Sequence, residues 1–284
     1  MEIITVLLSS LLLLISPVGI VVDQVAENAI RDRLAGAESL DVRIDNGPSY
    51  QLLQGKVDKV RIAGRGISPI PGLRIEVAEL ETDPIDLAFQ PLRRGEVVLD
   101  EAFQGAARVV LTETDVNAFL LSPFVAQQLE NLDLGSFAAN PAQAREGTRY
   151  QINNPAVDFL PSDDEAVLEN RIRISAELED LVEDAGFTIE AETGLMVEGG
   201  DRLMLVNPTV AVDGTPVDPR LVNIILGGLN DRLSLQQFDD SGIVARVIDF
   251  SIGAKSMDLA LWVRVDPSVT APAATQPSIL EPAP

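Results

Sequence analysis

The chain has 284 residues and a formal net charge of −23 at pH 7, from 21 Lys and Arg against 44 Asp and Glu, and it contains neither histidine nor cysteine. Ser-His-Asp and Cys-His nucleophiles, Cys or His zinc sites, thiol redox chemistry and disulfides are therefore excluded, and so acidic a chain opposes binding to a nucleic acid backbone. Apolar residues make up 46% and aromatic residues 4%, so branched aliphatic side chains must either fill a core or line a cavity.

Ile3 to Val22, IITVLLSSLLLLISPVGIVV, is an uncharged run long enough to cross a bilayer core of about 30 Å. Segment 1–22 therefore reads as a membrane anchor or signal sequence. Glu2 precedes the run and no A-x-A site follows it, which speaks against cleavage; Pro17 and Gly19 spoil the helix near its end. Val22, Val25, Ala26, Ala29, Ile30 and Leu34 then recur at helical spacing, with Asp23, Glu27, Arg31 and Asp32 between them and Gly36 as a stop. That pattern predicts an amphipathic helix leading into the domain.

Strands are expected near 41–45, 50–65, 73–82 and 96–111. From Val57 to Arg65 the residues alternate, with Val57, Lys59, Arg61, Ala63 and Arg65 on one face and Val60, Ile62 and Gly64 on the other. Leu73, Ile75 and Val77 against Arg74 and Glu76 repeat the period, and ISPIPG between the runs supplies the Pro and Gly of a hairpin turn. GRG at 64–66 reads as a turn or bulge, since it lacks the spacing of a dinucleotide loop. At TETD, 112–115, a hydroxyl stands at a helix N-cap with an acid three residues on, followed by Val116, Phe119 and Leu120. Residues 124–134 suggest a second helix, and 135–148 a loop.

The second half repeats the plan, with strands expected near 149–160, 167–178, 186–197 and 202–212. Asp218 before Pro219 gives an N-cap and a first-turn proline. The helix it opens carries Leu221, Val222, Ile224, Ile225, Leu226, Leu229 and Leu233 around most of its circumference. Strands near 243–250 and 256–265 close the domain, and the Pro- and Ala-rich tail 266–284 is too poor in apolar residues to pack. Strands followed by a helix, twice over (about 23–133 and 149–265), indicate an α+β protein in which a large antiparallel sheet is wrapped around or packed on amphipathic helices.

Acidic clusters offer little chemistry. Glu79, Glu81 and Asp83 sit on a strand edge ending at a proline turn, where a solvated face and a turn former account for them. Asp163, Asp164 and Glu165 match no EF-hand pattern. No catalytic residue, metal site or cofactor site is therefore predicted. Lys59, Arg61 and Arg65, with Lys56 and Arg74 nearby, form a locally basic stretch that suits a phosphate or sulfate head group. The alternative is a solvated strand face paired with acids on a neighbouring strand, the commoner arrangement. Trp262, the single tryptophan, shares its strand face with Ala260 and Arg264 and reads as partial core.

The order LLQGKVDKVRI, GRG, GLRIEVAELETDP resembles the LmeA-like phospholipid-binding family of bacterial envelope proteins, and so does LTETDVNAFL. The resemblance covers most of 22–265 and is clearest over 51–120. It implies a tubular lipid-binding-like fold, in which a rolled sheet holds a long helix and an apolar groove accepts acyl chains. On that reading Val25, Ala29, Phe119, Leu120, Leu221, Ile224, Ile225 and Leu229 face lipid rather than packed core, and Lys59, Arg61 and Arg65 contact the head group. The implied activity is non-enzymatic binding or transfer of phospholipid or glycolipid chains at the envelope membrane, by a periplasmic or otherwise extracytoplasmic domain held through its N-terminal segment. Such attachment would offset the repulsion of so acidic a chain from an anionic membrane. A solid-core structural or interaction module and a carboxylate-dependent hydrolase are the alternatives. The residues name no protein partner.

Overall fold

The computed structural model describes residues 27–28, 30–47, 51, 54–92, 98–130, 150–160, 170–180, 182, 185–219, 222 and 234–267. The uncharged run 3–22, expected as an anchor or signal segment, the acidic cluster 163–165 and most of the helix expected from 218 lie outside them. Among the described residues no helix is long and apolar enough to cross a membrane.

Alternating aliphatic residues give long antiparallel strands, as the period-two pattern requires. The first group is β1 (Gly36–Asp45), β2 (Lys56–Val57), β3 (Lys59–Ile70), β4 (Leu73–Thr82), β5 (Ile85–Asp86) and β6 (Phe103–Thr112), with a short helix α1 (Phe89–Leu92) before β6. Helices α2 (Glu113–Leu120) and α3 (Pro123–Glu130) follow. Then come β7 (Tyr150–Leu160), β8 (Arg171–Asp180), β9 (Ala185–Glu198), β10 (Arg202–Val212) and β11 (Thr215–Pro216). A 3-10 turn (Leu235–Ser241) leads into the last hairpin, β12 (Ile243–Ile252) and β13 (Ser256–Val265).

These strands build two open antiparallel sheets and a small two-stranded one. The six-stranded sheet runs β1-β3-β4-β6-β13-β12, the five-stranded sheet β11-β10-β9-β8-β7, and β2 pairs with β5. The fold is thus α+β and mostly sheet. The final hairpin does not stay with its sequence neighbours: β13 pairs with β6 from Ser256↔Thr112 to Val265↔Phe103, so the end of the chain completes the sheet begun by its start.

Local details refine the expectations. Val57 belongs to β2, separated from β3 by a bend at Asp58, and is 2% exposed instead of lying on the charged face. The turn of the β3–β4 hairpin is only Pro71–Gly72, with Gly72 at φ +87; the ISPI that precedes it stays in β3, where a register shift between Ile67 and Ile70 accommodates Pro69. Gly66, at φ +55, slips the alternation by one residue, and Ile67 joins Ile62 in the core with no exposed surface. Finally, β1 starts at Gly36, which pairs with Ser68, so the strand is longer than expected.

The main core lies on one face of the six-stranded sheet. Val42, Ile62, Leu80, Ala107, Leu261 and Val263 come from successive strands and are each at most 7% exposed. Burying each of the Val, Leu and Ile side chains among them contributes roughly 1.5–3 kcal/mol. A satellite cluster of Leu73, Phe119 and Val125 closes the β3–β4 turn against α2 and α3.

Candidate functional site

The basic residues singled out in β3 lie on the outer, charged face of the six-stranded sheet. There Lys59 bonds Glu81 Oε1, and Arg61 bonds Glu81 Oε2 at 3.0 Å and also Asp45. The Lys59 ammonium, and after it the Arg61 guanidinium, hold the Glu81 carboxyl below the usual carboxylate range. Arg108 on β6 is likewise paired with Asp258 and Glu79, and Lys56 with Asp86 at 2.8 Å. Arg65 is exposed and has no ion-pair partner among the described residues. Cross-strand pairing thus occupies two of the three head-group candidates. Exposed pairs of this kind contribute about 0–1 kcal/mol, so their work is to keep register on a wet face. Trp262 lies on the same face, partly exposed, in register with Ala106 and Arg246.

Phe119 and Leu120 are brought together by α2, Phe119 buried and Leu120 partly buried. Phe119 is 2% exposed and stacks on Phe124 with ring centroids 6.1 Å apart, and Leu120 packs against the same cluster. Four polar residues of LTETDVN, namely Thr112, Glu113, Asp115 and Asn117, have a structural task. Thr112 Oγ1 accepts the Asp115 N–H at 3.0 Å and caps α2, while donating its own proton to Asp115 Oδ2 at 2.7 Å. Asp115 also pairs with Arg74 at 2.8 Å, joining the helix to β4. Glu113 Oε2 accepts the Phe159 N–H at 2.7 Å. The Asn117 amide both donates to Val157 C=O and accepts the Val157 N–H, each at 2.8 Å. The helix therefore docks on the free edge of β7 as a partner strand would.

A second asparagine makes the matching junction. Asn170, just before β8, accepts the Ile252 N–H at 2.8 Å and donates to Phe250 C=O at 3.1 Å, and Val247 N–H reaches Gly200 C=O at 2.6 Å. The two sheets are joined at this seam by side chains and single backbone contacts rather than by a continuous ladder. Phe159, Ile172 and Leu195 from the five-stranded sheet are buried there with Ile252, against Val116, Phe250 and Met257.

Away from the seam, the five-stranded sheet presents an apolar face that is not fully covered. Its register aligns Ile152, Leu178 and Phe187 in one rung and Ala176, Ile189 and Val212 in the next. Val157, Ile174, Ala191 and Val210 follow, and Phe159, Ile172 and Thr193 make the last rung before the seam. Only Phe159, Ile172 and Thr193 of these are buried; the others are partly exposed, Ile174 by 41%. The Thr193 hydroxyl is satisfied by Gly194 C=O at 3.0 Å. On the opposite face Arg173 pairs with Glu192 and Asp158, and Arg171 with Glu192. An open strip of aliphatic side chains on a sheet otherwise sealed by ion pairs suits a ligand that is itself hydrocarbon.

A cleft of about 650 Å³ also opens at the seam, on the charged side, between Arg171, Met196, Asn207, Ile248 and Asp249. Its mixed lining makes it a weaker match for an acyl chain than the apolar face. Of the remaining lipid-facing candidates, Val25, Ala29, Leu221, Ile224, Ile225 and Leu229 lie outside the described residues. Their neighbour Val222 is 2% exposed, with its N–H bonded to Asp218 C=O at 3.2 Å, the first turn of the expected helix. The face residues of β8 and β9 were not among the candidates. Their signal is the alternation in RIRISAEL and FTIEAETGL.

No curated protein and no solved structure gives a significant match to the chain. A family profile, described as LmeA-like phospholipid-binding, matches residues 15–261. With that span covering most of the sequence, the chain belongs to the LmeA-like phospholipid-binding family.

Proposed function

We propose that residues 23–265 act as one lipid-binding unit that shields the acyl chains of a phospholipid or glycolipid on the apolar face of the five-stranded sheet, without chemical conversion. The carrying observation is that face: partly exposed aliphatic and aromatic side chains in three successive rungs, running into a closed apolar cluster at the seam. Membership of a phospholipid-binding family supports the class of ligand. Burial of hydrocarbon supplies affinity without any catalytic group, up to about 0.8 kcal/mol per methylene. In this reading the uncharged run 3–22 holds the unit at the envelope membrane, the domain works outside the cytoplasm, and lipid passes between membrane and sheet.

Mass spectrometry of organic extracts from the purified protein tests the binding. Wild type should carry lipid, and Ile189→Asp and Phe187→Asp should lose it while keeping a cooperative melt, since neither side chain is fully buried. Wild-type protein that carries no lipid and takes none from vesicles overturns the reading. Movement of a fluorescent phospholipid between donor and acceptor vesicles, faster with protein than without, tests transfer separately.

A further inference from the structure

We infer that the five-stranded face selects lipids by acyl-chain length rather than by head-group charge, with the methyl end of the chain against the seam. This rests on the lipid-binding reading above and makes it specific. The two ends of the face differ. At the seam, Phe159, Ile172 and Leu195 are capped by Ile252 and Val116, so the strip has a closed floor. At the other end, two residues beyond β8, Val182 is 74% exposed, and the last rungs are only partly buried. A hydrocarbon chain bound along the strands enters from the open end, because leaving its polar head at the seam would bury that head unpaired.

The strip also has a defined length. From Ile172 to Leu178 it spans six residue-to-residue steps of β8, about 20 Å at roughly 3.3 Å per step. Half of a bilayer core is about 15 Å, so one acyl chain of ordinary membrane length lies along it.

Among the described residues, head-group charge has little to act on. The rungs named above carry aliphatic, aromatic and threonine side chains only, and the nearby cations Arg171 and Arg173 stand on the opposite face, already paired with Glu192. At the mouth, Asp180 is 4% exposed, its carboxylate accepting the Val182 N–H. Its sign offers no attraction to a phosphate.

Single-chain lysophospholipids below their micelle concentration make the test, in a series of rising chain length with either a choline or a glycerol head group. Affinity should rise with each methylene, by up to about fourfold, the equivalent of roughly 0.8 kcal/mol. It should then level off once the strip is full. At equal chain length the two head groups should bind within threefold of each other, with little change between low and high salt. Ala191→Trp and Ala176→Trp each place a block on the strip, and the levelling-off should move to shorter chains. The move should be larger for Ala176, which lies nearer the open end.

A tenfold preference for one head group, an affinity independent of chain length, or the reverse order of the two variants overturns the inference while leaving lipid binding intact. Failure of every lysophospholipid to bind removes the lipid-binding reading, and this inference with it. Should either Trp variant fail to fold, the other and the wild-type series still decide.

Discussion

The two sheets are written in the same alternating pattern and end in different states. In the six-stranded sheet the apolar face is closed, with Ile67, Val263, Leu261 and Ala245 each at most 2% exposed. In the five-stranded sheet the corresponding face is closed only at the seam, and Ile174 stays 41% exposed. The difference teaches that period-two patterning says which face is apolar but not what covers it. A covered face contributes to stability, whereas a partly covered one leaves apolar surface open to contact.

The largest expected effect opposes the two faces directly. Ile67→Ala should cost about 2–5 kcal/mol of unfolding free energy in urea, through lost burial and a cavity. Ile174→Ala, already in contact with water, should cost under about 1 kcal/mol and should lower lipid content instead. Equal losses at the two positions would show that the faces do not differ in kind.

The seam comes next. Asn117→Ala leaves both the N–H and the C=O of Val157 without their side-chain partner, which should cost about 1–3 kcal/mol. Amide exchange at Val157 should accelerate while exchange in β3 does not. Uniform acceleration would mean that the seam is not a separate unit.

A smaller change is expected at the cap of α2. Thr112→Ala should lose about 1 kcal/mol, and Thr112→Ser should retain most of it, because the hydroxyl that receives the Asp115 N–H is kept. Chemical denaturation of the three proteins side by side decides this.

The smallest effect concerns the charged outer face. Glu81 titrates below an ordinary glutamate because Lys59 and then Arg61 stabilise its carboxylate. Its contribution is present at neutral pH, where the group is ionised in both folded and unfolded chains, and is lost as pH falls through the depressed folded-state value. In an NMR titration the Glu81 midpoint should lie below that of an unpaired glutamate. Lys59→Gln should raise it, and added salt should shrink the difference. A midpoint unmoved by Lys59→Gln would show that the pair carries no electrostatic weight in solution.

Much of this architecture was legible in the residues. Strands near 73–82, 202–212 and 256–265 and the Thr112 cap are where alternation and capping chemistry put them, because both signals are local. Pairing is not local, and the union of β6 with β13 left no trace in either segment alone. The turn after β3 is narrower than ISPIPG suggests, because its Pro and Gly signal a break that a register shift can absorb within the strand. The basic run on β3 drew attention that Asp45 and Glu81 explain once the neighbouring strands are in place. The apolar strip on β8 and β9 was visible as alternation, but its partial exposure depends on everything packed around it.

The docking of α2 on β7 has a consequence for solubility. β7 is the last strand of its sheet, and an unpaired strand edge is a template on which another chain can add. Glu113 and Asn117 occupy the hydrogen-bonding groups of Val157 and Phe159 that such an intruder would need. The same three contacts that fasten α2 to β7 also block that edge, so loosening them should open it to edge-to-edge assembly.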